Sequence, residues 1–181
     1  MANILILYYS KTGNTKKMAE FIKEGACSIP ENEIRLKSLE EATSKDVLWC
    51  HGIALGAPTH IGTVPWKMVK WWDENSSDFW QKIDGKFGCV FSSSGGWGGG
   101  NELTCQGLLK ILMNFGIMVF GLPDYTGPDM TLHYGSVCAG EPKDEAIIES
   151  CKRLGRRLAE WVSVYIDNKS NLSPLINIYR K

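Results

Sequence analysis

Short apolar runs alternate along the chain with segments in which apolar residues recur every three or four positions. A continuous apolar run such as 4–9 is typical of a strand buried on both faces of a sheet. The spacing of Met18, Ala19, Ile22 and Ala26 is typical of a helix with one buried face. These patterns predict strands at 4–9, 33–37, 51–55, 86–92 and 117–120. They predict helices that begin at residue 15 and that cover 65–75, 102–115 and 142–167.

The alternation of strand and helix predicts an α/β fold, a doubly wound five-stranded parallel sheet with helices on both faces. No linker or internal repeat interrupts the pattern, so residues 1–181 are predicted to form one domain. Residues 168–181 are too apolar for a free tail and are predicted to pack on the domain or on a second subunit. Their apolar side chains are Leu172, Leu175, Ile176 and Tyr179.

Composition excludes several classes of protein. The chain has 20 Lys and Arg against 20 Asp and Glu and no basic run, which argues against a nucleic-acid partner. No two of its six cysteines have the C-x-x-C spacing of zinc ribbons or iron–sulfur clusters, so we expect no metal site and reduced, mostly buried thiols. No apolar segment is long enough to span a bilayer, and none resembles a secretion signal. We therefore expect a cytoplasmic location.

Ligands of open parallel sheets bind beyond the carboxyl ends of the strands, which directs attention to three loops. Loop 1 (residues 10–15) combines hydroxyls, an Asn and Gly13 at a helix N-terminus, where free backbone N–H groups and the helix dipole favour an anion. It matches neither a Walker A motif nor a G-x-G-x-x-G fingerprint. Loop 1 is therefore predicted to hold one phosphomonoester through neutral donors. Ordinary helix capping is the alternative explanation.

Two further loops have unusual compositions. Loop 2 (residues 56–66) has two glycines and two prolines that fix its shape, although a plain strand-to-helix connection is the alternative. Loop 3 (residues 92–102) carries five glycines and Trp97, which suits close approach of the backbone to a ligand. The alternative for loop 3 is a flexible loop with an incidental Trp. One phosphate site and two loops suited to a flat ring together predict a mononucleotide flavin.

The same residues resemble the flavodoxin-like superfamily, and more narrowly the WrbA-type NAD(P)H:quinone oxidoreductases. Residues 9–15 are similar to the FMN phosphate loop of the superfamily. Loop 2 is similar to the Gly-Thr-Pro-Thr-Arg-Phe-Gly segment of the WrbA-type enzymes, and residues 90–102 to their Val-Phe-Ser-Ser-Thr, glycines and Gln-Glu. Tyr134, Gly135 and Gly140 resemble a later Tyr-Gly…Gly segment. The resemblance extends from Met1 to the region of Trp161.

The resemblance implies strand order 2-1-3-4-5 and a bound FMN. It implies that the phosphate contacts Ser10, Lys11, Thr12, Gly13, Asn14 and Thr15. It implies that the isoalloxazine ring contacts Pro58, Thr59, His60, Ile61, Gly62, Ser93, Ser94, Gly95, Gly96, Trp97 and Gly98. Three residues are candidates for contact with substrate. Trp80 matches a family Trp at the substrate site, and Phe115 stands where the family has a flavin-facing His. His133 lies in a late loop, and the alternative is a loop histidine without a role.

Two classes of function follow. The first is an FMN-dependent NAD(P)H oxidoreductase that reduces quinones or similar acceptors, with NAD(P)H as donor; the neutral charge and the loops favour it. The alternative is a flavodoxin-type electron carrier that docks other redox proteins. The carrier is favoured by the lost flavin-facing His and by the absence of an insertion that the WrbA-type family uses in tetramers. The predicted partners are a small-molecule acceptor or a redox protein. A homodimer or a higher oligomer is an alternative to a monomer. A scaffold that binds no flavin is a weaker third hypothesis.

Overall fold

The computed structural model describes residues 1–127 and 130–173. Its strands are β1 (Asn3–Tyr8), β2 (Glu33–Ser38), β3 (Gly52–Pro58), β4 (Phe87–Ser94), β5 (Met118–Val119), β6 (Leu122–Gly127), β7 (Met130–Leu132) and β8 (Ser136–Ala139). Its helices are α1 (Asn14–Cys27), α2 (Ser44–Trp49), α3 (Trp66–Phe79), α4 (Asn101–Asn114) and α5 (Glu145–Asp167), followed by a 3-10 turn at Ser170–Leu172.

The main sheet is parallel and has the order β2-β1-β3-β4-β5, as predicted. β1, β3 and β4 are almost wholly buried, which explains their continuous apolar sequences. Helices α1 and α5 pack against each other on the sheet, while α4 packs on β3 and β4 and α3 packs with α2. The predicted doubly wound α/β fold is confirmed.

The fifth position of the sheet differs from the prediction, because two chain segments share it. β5 is only two residues long and pairs with Phe87 and Gly88 at the start of β4. β8 pairs with residues 91–94 at the end of β4. Between these two pieces the chain forms the antiparallel pair β6–β7. The sheet therefore has six strands, of which β8 extends the fifth position toward the loops.

The sequence patterns also missed α2. This helix has six residues, fewer than a periodic pattern needs to be recognised. Its signal is a reciprocal capping box, in which the Thr43 side chain meets the amide of Asp46 and the Asp46 side chain accepts from the Thr43 amide. Ion pairs from Asp46 to Lys37 (2.8 Å) and Arg35 (3.5 Å) join α2 to the edge strand β2.

The burial of the cysteines agrees with the expectation, and the C-terminal tail is described only in part. Five of the six thiols are buried and Cys27 is exposed, and all six are free. Burial raises the pKa of Cys50 to about 11 and of Cys151 to about 12, so these thiols stay protonated. Leu172 packs against the core. Leu175, Ile176 and Tyr179 lie outside the described residues, so the packing predicted for 168–181 stays a prediction.

Candidate functional site

Loops 1, 2 and 3 meet at one end of the sheet because β1, β3 and β4 are neighbours and parallel. The amide of Tyr9 donates to the carbonyl of Gly56 (2.9 Å), which joins the start of loop 1 to loop 2. The amide of Thr59 donates to the carbonyl of Ser93 (2.7 Å), which joins loop 2 to loop 3. The three segments singled out in the sequence therefore form one continuous surface.

Loop 1 ends in a left-handed Gly13 (φ +96°) immediately before α1. The Ser10 hydroxyl accepts hydrogen bonds from the amides of Gly13 (3.1 Å) and Lys16 (3.3 Å). Within the described part of the chain, the amides of Thr12, Asn14 and Thr15 donate no hydrogen bond. The first turn of α1 has no acidic side chain. Free amides and a positive helix end are what an anion requires.

Several hydroxyls of the predicted contact set bond within the protein, among them those of Thr15, Ser93 and Ser94. Thr15 is almost fully buried, and its Oγ1 lies 2.8 Å from Oγ of Ser93, so one hydrogen bond ties α1 to β4. The Ser94 hydroxyl donates to the carbonyl of Gly96 (2.8 Å) and shapes loop 3. These side chains hold the loops in place, whereas the amide of Thr15 remains free.

Loop 2 contains a tight turn from His60 to Thr63, with reciprocal backbone hydrogen bonds of 2.9 and 3.1 Å. Both central residues have positive φ, Ile61 at +51° and Gly62 at +75°. A β-branched residue in this region is strained, and Ile61 is fully exposed, so no packing compensates for the strain. The turn thus projects an apolar side chain beyond the end of β3.

His60 links loop 2 to loop 1. Its ring meets the Tyr9 ring edge to face, with centroids 5.9 Å apart. Burial lowers the pKa of His60, and the positive charge of Lys11 lowers this pKa further. The imidazole is therefore neutral at physiological pH.

Loop 3 approaches loop 2 through Gly100, whose φ is +90°. A Cβ on Gly100 would lie 3.3 Å from the carbonyl oxygen of Gly62, so the loops are close at this point. Apart from the chain neighbours of each glycine, no described atom lies within 4 Å of where a Cβ would stand on Gly95 or Gly96, and 62% of Trp97 is exposed. The outer part of loop 3 therefore offers open backbone beside an exposed indole.

Asn101 and Thr104, in the first turn of α4, also lie at the candidate site. The sequence analysis gave neither residue a role. Thr104 is buried and donates to Thr59 Oγ1 (2.9 Å), so it supports loop 2. Asn101 is also buried; its Oδ1 accepts from the amide of Glu102, while its Nδ2 has no partner among the described residues. A buried amide donor without a partner is costly and suits a ligand oxygen. Their position in the first turn of α4, at the end of loop 3, was the feature of the sequence that could have identified them.

A fourth segment, residues 140–144 after β8, also reaches this end of the sheet. The amide of Gly140 donates to the carbonyl of Ser94 (2.8 Å). Glu141 forms ion pairs with Lys143 (2.8 Å) and with Lys17 of α1. Hydrogen bonds from Lys143 and Lys17 lower the pKa of Glu141 to about 2. Since β8 was not predicted from sequence, this segment could not be placed beforehand.

The predicted substrate residues lie elsewhere. Trp80 and Phe115 are in contact, with ring centroids 5.4 Å apart, and border a groove of about 390 Å³ between α3 and α4. Trp80 and Phe115 follow the C-terminal ends of α3 and α4, whereas loops 2 and 3 lie at the N-terminal ends of these helices. Because a 14-residue helix is about 21 Å long, the two side chains lie far from the loops. His133 is exposed between β7 and β8, several residues before β8 reaches the loops. The structure does not bring these three side chains to loops 1 to 3.

The described ranges contain neither a cluster of metal-binding side chains nor a membrane-spanning helix. Residues 1–127 and 130–173 contain no group of three His, Cys, Asp or Glu side chains placed to hold a metal ion. In the same ranges, no helix combines the length and the apolar character needed to cross a membrane.

Comparison with known proteins agrees with this geometry. Residues 6–130 match the family described as Flavodoxin. A flavodoxin of Aquifex aeolicus is 55% identical over 95% of this chain and 93% of its own length. An NAD(P)H dehydrogenase (quinone) of Archaeoglobus fulgidus is 30% identical over 88% of this chain and 97% of its own. The crystal structure of a WrbA-like flavodoxin from Agrobacterium tumefaciens superposes with a TM-score of 0.70 at 22% identity, covering 90% of this chain and 98% of that one.

The family match spans more than half of the chain, and the Aquifex relative matches nearly all of it. The superfamily resemblance inferred from loops 1 to 3 is confirmed, as is the presence of WrbA-like relatives. The chain belongs to the flavodoxin family.

Proposed function

We propose that this protein holds one FMN at loops 1 to 3 and carries electrons between redox proteins. The observation that supports carriage most directly is an open apolar rim around these loops. Ile61 is fully exposed, and the exposed fractions of Trp66, Trp97 and Leu103 are 66%, 62% and 61%. Exposed apolar side chains grouped in this way mark a contact surface. The 55% identity to a protein named flavodoxin supports the same function.

Loop 1 would hold the phosphate. The free amides of Thr12, Asn14 and Thr15 point to this role, together with the hydroxyls of Ser10 and Thr12 and the N-terminus of α1. No acidic side chain in the first turn of α1 competes with an anion. The exposed Lys11 adds charge beside these donors. The phosphate would therefore be bound chiefly by neutral donors and a helix end.

Loops 2 and 3 would hold the ring. The open backbone at Gly95 and Gly96 suits hydrogen bonds to the polar ring edge, and the unpartnered Nδ2 of Asn101 suits a ring or ribityl oxygen. Ile61 and Trp97 are exposed on opposite loops and suit contact with the two ring faces. Bound FMN supplies the redox chemistry, since its flavin ring accepts and releases electrons. The protein supplies position, exclusion of water from part of the ring, and the dipoles around it.

The test is an anaerobic titration of the FMN-loaded protein. A carrier should take up electrons at two separated one-electron potentials and should lose none of its flavin colour on addition of NADH or NADPH. A protein that stays colourless and does not retain added FMN would contradict the proposal at its first step.

An NAD(P)H:quinone oxidoreductase is the second candidate, and the 30% identity to the Archaeoglobus enzyme over 88% of the chain favours it. This function predicts rapid bleaching of the flavin by NADH or NADPH and recovery of the colour with benzoquinone. Trp80, Phe115 and His133 would act on substrate only if they reached the flavin. Within one chain, the length of α3 and α4 separates Trp80 and Phe115 from loops 2 and 3, and His133 lies between β7 and β8. A cytoplasmic location and a homo-oligomer stay predictions.

A further inference from the structure

One border of loops 1 and 2 combines exposed apolar side chains with lysines. We name it the lysine edge and define it as Lys11, Ile61, Trp66, Lys67 and Lys70. Trp66, at the first position of α3, is 66% exposed. Tryptophan is the side chain most enriched among the anchors of protein interfaces.

Contacts show that the lysine edge is continuous with the candidate site. Nζ of Lys67 lies 5.3 Å from the centroid of the Tyr9 ring, and the Tyr9 ring touches His60 of loop 2. Nζ of Lys70 lies 5.8 Å from the centroid of the Trp66 ring. The ammonium groups of Lys67 and Lys70 therefore stand beside the rings of Tyr9 and Trp66.

Most of the positive charge of the edge is not neutralised. Lys11 and Lys67 form no ion pair with a described residue, and Lys70 meets only the exposed Glu74, at 3.5 Å. The carboxylates near this end of the sheet lie at other borders: Glu141 pairs with Lys17 and Lys143 beside β8, Glu102 is in the first turn of α4, and Glu40 and Glu41 follow β2. Among the described residues, the lysine edge is therefore a positively charged border of the site, although the whole chain has zero net charge.

We propose that the electron-transfer partner of this protein docks an acidic surface on the lysine edge, with Trp66 and Ile61 as its apolar contacts. The proposal rests on the proposed carrier function and names the chemistry of the partner. Opposite charges on two proteins steer their encounter and fix orientation, and they raise the association rate most at low salt. Partners with basic docking surfaces would meet repulsion at this border.

The kinetic test uses two haem proteins of opposite surface charge, cytochrome b5 (acidic) and cytochrome c (basic). Each ferric haem takes one electron from the reduced FMN protein and becomes ferrous, which stopped-flow absorbance records. With cytochrome b5, the second-order rate constant should fall as ionic strength rises. Lys67→Glu and Lys70→Glu together should lower it about tenfold at low salt. Lys23→Glu is the matched control, since Lys23 is exposed on α1 away from the loops.

Three outcomes would overturn the docking proposal. The first is a rate constant with cytochrome b5 that rises with ionic strength, and the second is an equal effect of Lys23→Glu and Lys67→Glu when each is measured as a single variant. The third is loss of the effect of the lysine substitutions when NADPH is added, which would assign these lysines to a dinucleotide. A second measurement does not need electron transfer. A carbodiimide joins lysine amines to carboxylates of a docked partner as amides, with the reagent leaving as a urea. Cross-links to cytochrome b5 at Lys67 and Lys70, in the protein with or without FMN, would support docking even if the carrier function failed; links spread evenly over the surface lysines would contradict it.

Discussion

Thr15, Ser93 and Ser94 illustrate why single residues of the site were harder to predict than its loops. All three residues are among the predicted ligand contacts, and in the structure the hydroxyls of Thr15 and Ser93 bond to each other and the hydroxyl of Ser94 bonds to the carbonyl of Gly96. A hydroxyl in a predicted loop can face inward or outward, and the sequence gives no sign of which. Loop positions follow from strand ends, whereas side-chain partners depend on the distance between loops.

The Thr15–Ser93 hydrogen bond should contribute measurably to stability. Thr15→Ala leaves a buried Ser93 hydroxyl without its partner, which should cost about 1–3 kcal/mol in the free energy of unfolding. Urea denaturation of the FMN-free protein measures this loss. Thr12→Ala, at an exposed position of the same loop, is the control and should change stability by less than about 0.5 kcal/mol. Equal losses in the two variants would contradict the assignment.

Ile61 gives the opposite prediction, a substitution that stabilises. A left-handed conformation costs a non-glycine residue about 1–2 kcal/mol, and Ile61 is fully exposed, so Ile61→Gly should relieve strain without losing packing. After the greater chain entropy of glycine, we expect a net gain of about 0.5–1 kcal/mol. Gly62→Ala, at φ +75°, should show a loss of about 1 kcal/mol. Unfolding curves of the two FMN-free variants, compared with the parent, provide the measurement; a loss in Ile61→Gly would show that the turn is not strained.

At the level of elements, patterns of sufficient length were predicted well and short ones were missed. β1, β3 and β4 have continuous apolar runs, β2 alternates between polar and apolar residues, and helices α1, α3, α4 and α5 have periodic faces over at least 14 residues. The six-residue α2, the pair β6–β7 and the four-residue β8 do not. β8 depends on pairing with residues 91–94, a contact about forty residues away in sequence. Such a strand is determined by tertiary context more than by its own composition.

The crossing of α1 and α5 depends on two glycines. A Cβ on Gly25 would lie 1.9 Å from the carbonyl oxygen of Lys152, and a Cβ on Gly155 would lie 1.9 Å from that of Ile22. Because the blocking atoms are backbone, Gly155→Ala must push the helices apart and should cost about 3 kcal/mol, the upper end of the range for overpacked cores. Thermal unfolding followed by circular dichroism measures the effect. Lys23→Ala on the exposed side of α1 is the control; a Gly155→Ala protein as stable as that control would refute the close crossing.

The attachment of α2 to β2 should depend on pH. Burial alone would raise the pKa of Asp46, but hydrogen bonds from Lys37 and Thr43 hold this pKa below its ordinary value. A carboxyl whose pKa is lowered by folding stabilises fully above its unfolded pKa, about 4, and loses that contribution as pH falls through the folded value. Asp46→Asn should therefore be less stable at neutral pH and should lose less stability than the parent on acidification below about pH 4. Urea unfolding over a pH series tests this, with Asp73→Asn, exposed on α3, as the control; parallel pH curves for Asp46→Asn and the parent would contradict it.

At the scale of the whole molecule, the proposed class of ligand followed from sequence because three loops of unusual composition come after three adjacent strands. The distribution of charge around the site could not be predicted from the sequence. A net charge of zero describes the chain as a whole, whereas lysines and carboxylates occupy different borders of the site. Only the fold brings Lys67 of α3 beside Tyr9, the residue that precedes loop 1.

Ligand binding should stabilise the molecule in a way that identifies the phosphate contact. Free FMN at 100 times its dissociation constant should add about 2.7 kcal/mol to the free energy of unfolding. Riboflavin at the same concentration lacks the phosphate and should raise the melting temperature much less, since loop 1 gains no anion. Differential scanning fluorimetry with both ligands measures the difference. Equal shifts would remove loop 1 from the binding site.

The divided fifth position of the sheet also bears on aggregation. A long, flat edge strand offers unpaired amides and carbonyls to strands of other molecules, and natural sheets suppress this at their edges. One edge here is built from two pieces of two and four residues, each too short to template an added strand. The opposite edge, β2, carries Glu33, Arg35 and Lys37 along its length. A fibril that grows by strand addition would therefore meet short pieces at one edge and charged side chains at the other, so the folded protein should tolerate high concentrations without forming one.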